Sequence, residues 1–212
     1  VVREALKPGE MLVVRKPDGS QEFNVLDHRL HPAYKPFKEF VTWAKEHNTG
    51  FRSMVSGLVM APAYDVAVLI VDPPTLGMTL PVVPNPGPEH VAPGAALAFA
   101  GYPIEGTGAQ KSAQLGHNAQ LQFGAVTSTS DYFLFHTEPE FAYLVQNSLP
   151  ATGGASGSPV INRDGFVVAV LSGGTVVATG NGGRTPSAVL LNYAQRADLI
   201  AAAVDPSVFD LA

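Results

Sequence analysis

The segment best suited to catalysis is a glycine-rich turn around one serine, Gly153-Gly154-Ala155-Ser156-Gly157. Glycines let the backbone approach a ligand closely, and successive N–H groups in such a turn can bind an anion. Acyl transfer needs a hydroxyl nucleophile beside donors aimed at the developing oxyanion. Ser156 would be that nucleophile, and the N–H groups of Gly154 and Ser156 would be the donors. The competing interpretation is a Gly/Ser turn that only joins two strands.

The residues after this turn indicate a β-rich setting. Residues 159–170 predict a strand, a turn and a second strand, and the sequence Ser172-Gly173-Gly174 follows them. A nucleophile elbow of the α/β-hydrolase kind needs a glycine at the position of Ser158 and a helix afterwards. The sequence offers neither, so that class of hydrolase is excluded.

A second residue of chemical interest is Asp65, which stands at the mouth of the apolar run VAVLIV, residues 66–71. A continuous β-branched run is typical of a strand that is covered on both faces. A single carboxylate in this place is by itself an ordinary cap. Its interest depends on what lies beside it in the fold.

In chain order, these segments resemble the trypsin-like (chymotrypsin-fold) serine proteases, particularly the bacterial high-temperature-requirement type. Residues 154–159 resemble the nucleophile signature, with Ser158 in place of its second glycine. Residues 64–69 resemble the segment whose aspartate orients the catalytic histidine. Residues 93–103 and 124–128 resemble strands of the second barrel.

The resemblance covers about residues 11–204 and implies an all-β fold of two antiparallel six-stranded barrels. It implies a serine endopeptidase that acts on proteins or peptides through an acyl-enzyme and needs no cofactor. It assigns the nucleophile to Ser156, the orienting carboxylate to Asp65, and the oxyanion donors to Gly154 and Ser156.

The resemblance also places the two walls of the primary specificity pocket. Pro150 and Ala151 form one wall, and Ser172, Gly173 and Gly174 form the other. No acid stands at Pro150, so a basic substrate side chain lacks a counter-charge. A small or medium apolar side chain is the expected preference.

The family's catalytic histidine has no good match in this chain. The predicted hairpin at residues 11–30 corresponds to the strands that follow that histidine, so the resemblance expects it upstream of Val1. His28 and His31 precede Asp65 at a tolerable spacing, but both lack the expected flanking residues. We therefore expect the first barrel to lack its first strands in this chain.

Three accounts of the missing histidine follow. An N-terminal companion fragment, or an upstream portion of the protein, carries it. Alternatively, the chain is a catalytically inactive trypsin-like fold that serves as a peptide- or protein-binding module. A purely structural β domain is the third account, and it predicts that Ser156 and Asp65 lie far apart.

Composition excludes several other classes of function. The 212 residues carry 13 Lys+Arg against 18 Asp+Glu, for a net charge of −5, and the cations are scattered, which argues against nucleic-acid binding. Hydrophobic residues make up 46% and charged residues 15%, which indicates a folded chain. There is no cysteine, and His117 and His136 lack partners at metal-ligand spacing, so we propose no metal site.

The sequence offers no membrane segment, and it leaves the compartment open, with a periplasmic or secreted location favoured by the resemblance.

The predicted elements divide the chain into four parts. An incomplete N-terminal barrel spans residues 1–72, with a helix inserted at 35–48, and a Pro-rich crossover spans 73–93. A C-terminal barrel spans 94–194, and a C-terminal helix and tail span 195–212, with the helix beginning at Gln195. Strands of the second half are predicted at 95–102, 120–128, 132–137, 159–162, 166–171, 175–179 and 188–191.

Overall fold

The computed structural model describes residues 12–16, 20–36, 39, 42, 58–59, 63–73, 81–82, 88–102, 119–132, 142–151, 154–174, 176–178, 184–186, 192–205 and 207. The strands in these ranges are β1 (Val13–Arg15), β2 (Glu22–Leu30), β3 (Leu58–Val59), β4 (Ala67–Asp72), β5 (Ala96–Gly101), β6 (Gln120–Ser130), β7 (Leu144–Asn147), β8 (Pro159–Asn162), β9 (Val167–Gly174), β10 (Val176–Ala178), β11 (Arg184–Pro186) and β12 (Asn192–Arg196). The helices are α1 (Pro88–Val91) and α2 (Leu199–Val204). The prediction of an all-β fold is confirmed.

Six strands close into an antiparallel barrel in the order β12-β7-β6-β5-β8-β9. Strand β5 shows why the chain forms this layer, because Leu97 and Phe99 are buried while Ala96 and Ala100 are exposed. This alternation places one face of the strand in the core. The core residues inside the barrel are Val91, Leu97, Phe99, Val126, Val145, Leu149, Ala155, Val160, Val168, Ala169, Leu171 and Ala194.

The first half forms a three-stranded antiparallel sheet in the order β1-β2-β4. The predicted hairpin is confirmed, with Val14 opposite Phe23 in the register. The predicted strand at 66–71 is present as β4, but it is not covered on both faces. Ala67 is exposed and the next four side chains are only partly buried, because this sheet does not close into a barrel within the described residues.

A third sheet, in the order β11-β10-β3, links the two halves. Helix α2 makes a second link, because Leu199 and Ala203 pack against Val66 at the start of β4. The predicted start of this helix was wrong. Gln195 and Arg196 belong to strand β12, and the helix begins at Leu199.

Other predicted elements lie partly or wholly outside the described residues. Of the helix predicted at 35–48, Glu39 and Thr42 are helical, whereas Lys35 forms a β-bridge with Ala63. The strands predicted at 132–137 and 188–191 lie outside the described residues, except for Tyr132, which is in a turn. No helix in the described part of the chain has the length and apolar character needed to cross a membrane.

Candidate active site

The turn around Ser156 is anchored firmly while its serine stays exposed. Gly154 and Gly157 have φ angles of 90° and 86°, a region that favours glycine. The Gly157 N–H donates to the Leu171 carbonyl over 2.7 Å, and Ala155 is fully buried in the barrel core. The turn therefore presents Ser156 at the surface on a fixed backbone.

The N–H groups of Gly154 and Ser156, which the sequence predicts as oxyanion donors, form no hydrogen bond with an acceptor among the described residues. Their neighbour Ser158 donates its N–H to the Ala155 carbonyl over 3.1 Å, which closes the turn.

Asp65 is held in a tight turn at the start of the first sheet. The preceding residue, Tyr64, has a φ of 53°, which non-glycine residues adopt rarely. The Val66 N–H donates to the Tyr64 carbonyl over 2.8 Å, so the turn spans three residues with Asp65 at its centre. The backbone conformation thus turns Asp65 towards the second half of the molecule, where it meets Ser172.

Ser172 joins the two candidate catalytic residues. Its Oγ donates to Asp65 Oδ2 over 2.8 Å, and its main-chain carbonyl accepts a hydrogen bond from Ser156 Oγ over 3.3 Å. Asp65 and Ser156 are 91 residues apart in the sequence and come from different halves of the chain, yet both lie against Ser172. The account of a purely structural domain predicted a large separation, and the structure contradicts it.

A cavity of about 390 Å³ lies between Asp65 and Ser156. Its walls are mainly apolar, with the Asp65 carboxylate and the Ser156 hydroxyl as its polar groups beside the Tyr34 phenol. No histidine is among the described residues that line it. The lining residues are Leu30, Tyr34, Asp65, Val66, Ala67, Leu69, Ser156, Gly157, Val170, Leu171 and Ile200.

Behind Ser172 lies a group of buried polar side chains from the second half of the chain. Gln195 Nε2 donates to Ser172 Oγ over 3.3 Å, and the Tyr132 hydroxyl donates to Gln195 Oε1 over 2.7 Å. Burial raises the pKa of Tyr132 well above its ordinary value, so its hydroxyl keeps its proton. Sequence reasoning missed both residues, because Gln195 was predicted to lie in a helix and Tyr132 in a strand.

The two histidines considered as bases from the sequence lie outside this cavity. His28 is half-buried on β2, opposite Leu69 in the register. His31 is buried, stacks on the Tyr64 ring with centroids 4.9 Å apart, and accepts a hydrogen bond at Nδ1 from the Ala33 N–H over 3.1 Å. His31 therefore packs against Tyr64, the residue before Asp65.

His31 is expected to make the protein less stable in mild acid. Burial lowers its pKa from 6.5 to about 4, against the opposing effect of the Asp198 charge. The unfolded chain therefore takes up a proton below pH 6.5 that the folded chain takes up only near pH 4. Between pH 7 and pH 5 we expect His31 to lower the free energy of unfolding by about 2 kcal/mol, measured by urea denaturation.

His31→Asn tests this assignment, because the Asn side-chain oxygen can still accept from the Ala33 N–H but does not titrate. We expect this variant to lose most of the pH dependence, and the half-buried His28→Asn control to keep it. Equal pH dependence in wild type and His31→Asn would assign the effect to another group.

The predicted pocket walls differ in burial. Pro150 is exposed and Ala151 is partly buried, while Gly173 and Gly174 end strand β9 beside Ser172. A buried residue that the sequence did not single out, Asn192, connects the two walls. Its Nδ2 donates to the Leu149 carbonyl, and it lies opposite Gly174 in the register.

Within the ranges that the structure describes, no group of three or more His, Asp or Glu side chains is placed to hold a metal ion. The polar groups at the cavity are one carboxylate and hydroxyls. This set suits proton transfer and nucleophilic attack.

The chain was compared with protein families and with curated proteins. The family model described as a trypsin-like peptidase domain matches residues 13–170, a span that includes both Asp65 and Ser156. No curated protein matches the chain.

Several solved structures match the chain at low sequence identity. Kallikrein-related peptidase 10 matches with a TM-score of 0.54 and 13% identity, over 94% of this chain and 80% of that one. A Glu endopeptidase in complex with MPD matches with a TM-score of 0.51 and 16% identity, over 92% and 68%. The HtrA-type protease AlgW with a decapeptide matches with a TM-score of 0.48 and 16% identity, over 92% and 45%.

Proposed function

Because this chain belongs to the trypsin-like peptidase family, we propose that it forms the core of a serine endopeptidase whose nucleophile is Ser156. One observation carries the proposal. Ser156 and Asp65, from different halves of the chain, line the same cavity and both contact Ser172. A Gly/Ser turn that only joins two strands would not be expected to share a cavity with a carboxylate from the other half, next to a residue with positive φ, Tyr64.

In the proposed reaction, Ser156 Oγ attacks the carbonyl carbon of the scissile peptide bond and passes its proton to an imidazole. Asp65 accepts a hydrogen bond from that imidazole and stabilises its protonated form. The N–H groups of Gly154 and Ser156 stabilise the oxyanion. The imidazolium then protonates the leaving amine, and water hydrolyses the acyl-enzyme by the same route in reverse.

The imidazole is supplied by a histidine in a segment outside this chain, either upstream of Val1 or in a companion fragment. Support comes from the cavity, whose volume of about 390 Å³ is many times the roughly 30 Å³ share of one water. Its lining includes Asp65 and Ser156, the two residues that the imidazole would bond in this proposal, and apolar residues such as Leu69 and Ile200.

Substrate selection in this proposal uses the two walls identified from the sequence. Pro150 and Ala151 lie on one side, and Ser172, Gly173 and Gly174 lie on the other. No charged group is present on these walls, which favours a small or medium apolar side chain before the scissile bond. The division into an N-terminal barrel, a crossover at 73–93 and a C-terminal barrel belongs to the same proposal, with the C-terminal barrel extended through β12 to Arg196.

The alternative is an inactive fold that binds a peptide or protein partner through the same cleft. One contact favours it: the Ser156 hydroxyl donates to the Ser172 carbonyl instead of to a base. A catalytic serine in this position must turn away from that carbonyl when the imidazole arrives. The two functions therefore differ in whether a base in the cavity activates Ser156.

Free imidazole provides the test, because it can occupy the place of the missing side chain. We expect it to raise the rate at which a fluorophosphonate probe labels Ser156 at least about tenfold, with saturation as the cavity fills. Labelling is followed by intact mass and peptide mapping, and N-terminal sequencing of the same sample reports any bound companion fragment.

Ser156→Ala should abolish the labelling, and Ser148→Ala, which removes an exposed serine hydroxyl from the same barrel, should leave it unchanged. Labelling of residues other than Ser156 would contradict the proposed enzymatic function. So would a complete lack of labelling, both in this chain with imidazole and in protein extended upstream of Val1. In the second case the binding-module function would be favoured.

A further inference from the structure

A run of three hydrogen bonds, here called the Tyr132 relay, connects Asp65 with two buried residues of the second half, Gln195 and Tyr132. It passes from Tyr132 to Gln195, from Gln195 to Ser172, and from Ser172 to Asp65, over 2.7, 3.3 and 2.8 Å. Gln195 is fully buried, and only 4% of Tyr132 is exposed. The relay thus begins at the cavity and ends at residues of the second half that are shielded from solvent.

The donor and acceptor roles in the relay are fixed by its end at the carboxylate. An ionised Asp65 only accepts, so the single Ser172 hydroxyl proton must point to it. Ser172 Oγ is then left as an acceptor, which requires the N–H side of the Gln195 amide. The Gln195 carbonyl therefore faces Tyr132, whose hydroxyl must donate, and all three bonds run in one direction.

Gln195 lies among apolar strands, which makes its polar groups costly unless they are satisfied. In the barrel ladder it stands opposite Leu144 on β7 and Val170 on β9. An unsatisfied buried amide is strongly unfavourable, whereas bonds in a run of this kind polarise and strengthen one another. The amide is therefore confined to one orientation by its two relay partners.

Tyr132 also touches the backbone side of Asp65. Its ring packs against that of Tyr64, the residue with positive φ that precedes Asp65, with centroids 4.6 Å apart. Tyr132 thus packs on the residue before Asp65 and is also linked to the Asp65 carboxylate by the three hydrogen bonds of the relay. The ring of Tyr132 and its hydroxyl can therefore both influence the position of Asp65.

We propose that Gln195 and Tyr132 are positioning residues that fix the orientation of the Asp65 carboxylate through Ser172. The inference rests on the proposed function, in which Asp65 orients the catalytic imidazole. With Oδ2 held by Ser172, Oδ1 is the oxygen that accepts the hydrogen bond from the imidazole in this mechanism. Losing the relay frees the carboxylate to rotate, so the base is misaligned while the substrate pocket is unchanged.

Tyr132→Phe tests the proposal in kinetics, because it keeps the ring that packs on Tyr64 and removes only the hydroxyl. In protein that carries the proposed upstream histidine, we expect kcat to fall about tenfold and KM to stay within about twofold. Tyr143→Phe is the matched control, since its ring belongs to the same cluster and its hydroxyl is not in the relay. Tyr132→Phe combined with Gln195→Met should lose no more activity than the more impaired single variant.

A spectroscopic measurement tests the relay without relying on activity. The side-chain amide resonances of Gln195, assigned by their loss in Gln195→Met, should shift in both Asp65→Asn and Tyr132→Phe. They should stay in place in Asp72→Asn and Tyr143→Phe.

Unshifted resonances in Asp65→Asn, or a Tyr132→Phe enzyme as active as Tyr143→Phe, would overturn the proposal. Failure of every form to acylate Ser156 would overturn the proposed function, and the Gln195 resonances would still decide whether the relay holds Asp65.

Discussion

Asp65→Asn is expected to lower the rate of Ser156 acylation by about 10³–10⁴-fold in protein that carries the proposed upstream histidine. The asparagine oxygen can still accept the hydrogen bond from Ser172, so the local packing is kept. Its amide group, however, presents N–H donors where the imidazole needs an acceptor. The imidazole is then held in the wrong tautomer and its protonated form loses a stabilising charge.

Probe-labelling rates and peptide hydrolysis measure this effect, with thermal unfolding as the check on folding. Asp72→Asn is the control, because Asp72 is an exposed carboxylate at the far end of the same strand and should tolerate the change. A loss of less than tenfold in Asp65→Asn, alongside complete loss in Ser156→Ala, would remove Asp65 from the proposed mechanism.

The two ends of the site were predictable from local sequence, whereas the residue that joins them was not recognised in that role. Ser156 lies in a turn whose positive φ angles favour glycine, and Asp65 lies two residues before the apolar strand β4, so both have a local sequence signature. Ser172 was predicted only as a pocket wall. Its bond to Asp65 depends on how the two halves pack, and no local pattern encodes that contact.

Strand β12 shows why Gln195 was misplaced. All five residues of this strand are buried, so the alternation that identifies a half-exposed strand is absent. Its Asn, Gln and Arg side chains also lack the β-branched character of the other strands. The apolar, alanine-rich residues that follow do form a helix, but only from Leu199. Local composition therefore predicted a helix from Gln195 onward. In the structure, Gln195 and Arg196 are in a strand instead, because β12 pairs with β7 and β9.

The barrel strands were more accessible to prediction than the first sheet. Strands β5, β6, β8 and β9 alternate or carry continuous apolar runs between glycine-rich turns, and each falls close to its predicted range. In contrast, the apolar run in β4 predicted burial on both faces, which the described residues do not supply. Its hydrophobicity matches the proposal that a further segment packs on this half.

Gly124→Val is expected to lower the free energy of unfolding by more than about 3 kcal/mol, with a fall in Tm of roughly 6–12 °C. A Cβ at Gly124 would lie 2.8 Å from the Leu149 nitrogen and 3.0 Å from the Leu149 Cα. This neighbour cannot give way easily, because it is backbone and the Leu149 side chain is fully buried. The Asn192 amide donates to the Leu149 carbonyl. Ser148 donates its N–H to the Ala125 carbonyl and accepts the Ala125 N–H at its side-chain Oγ.

Gly173→Ala is the matched control, since Gly173 lies in a strand of the same barrel and no heavy atom of the described residues is within 4 Å of the position its Cβ would take. We expect its urea midpoint to stay close to that of wild type. The difference in stability between Gly124→Val and Gly173→Ala bears on the candidate site, because Leu149 lies seven residues before Ser156 in the chain. If Gly124→Val unfolds at the same urea concentration as Gly173→Ala, the close approach of these two backbones does not hold the nucleophile turn in place. If it unfolds earlier, that close approach contributes to the stability of the barrel wall from which the Ser156 turn extends.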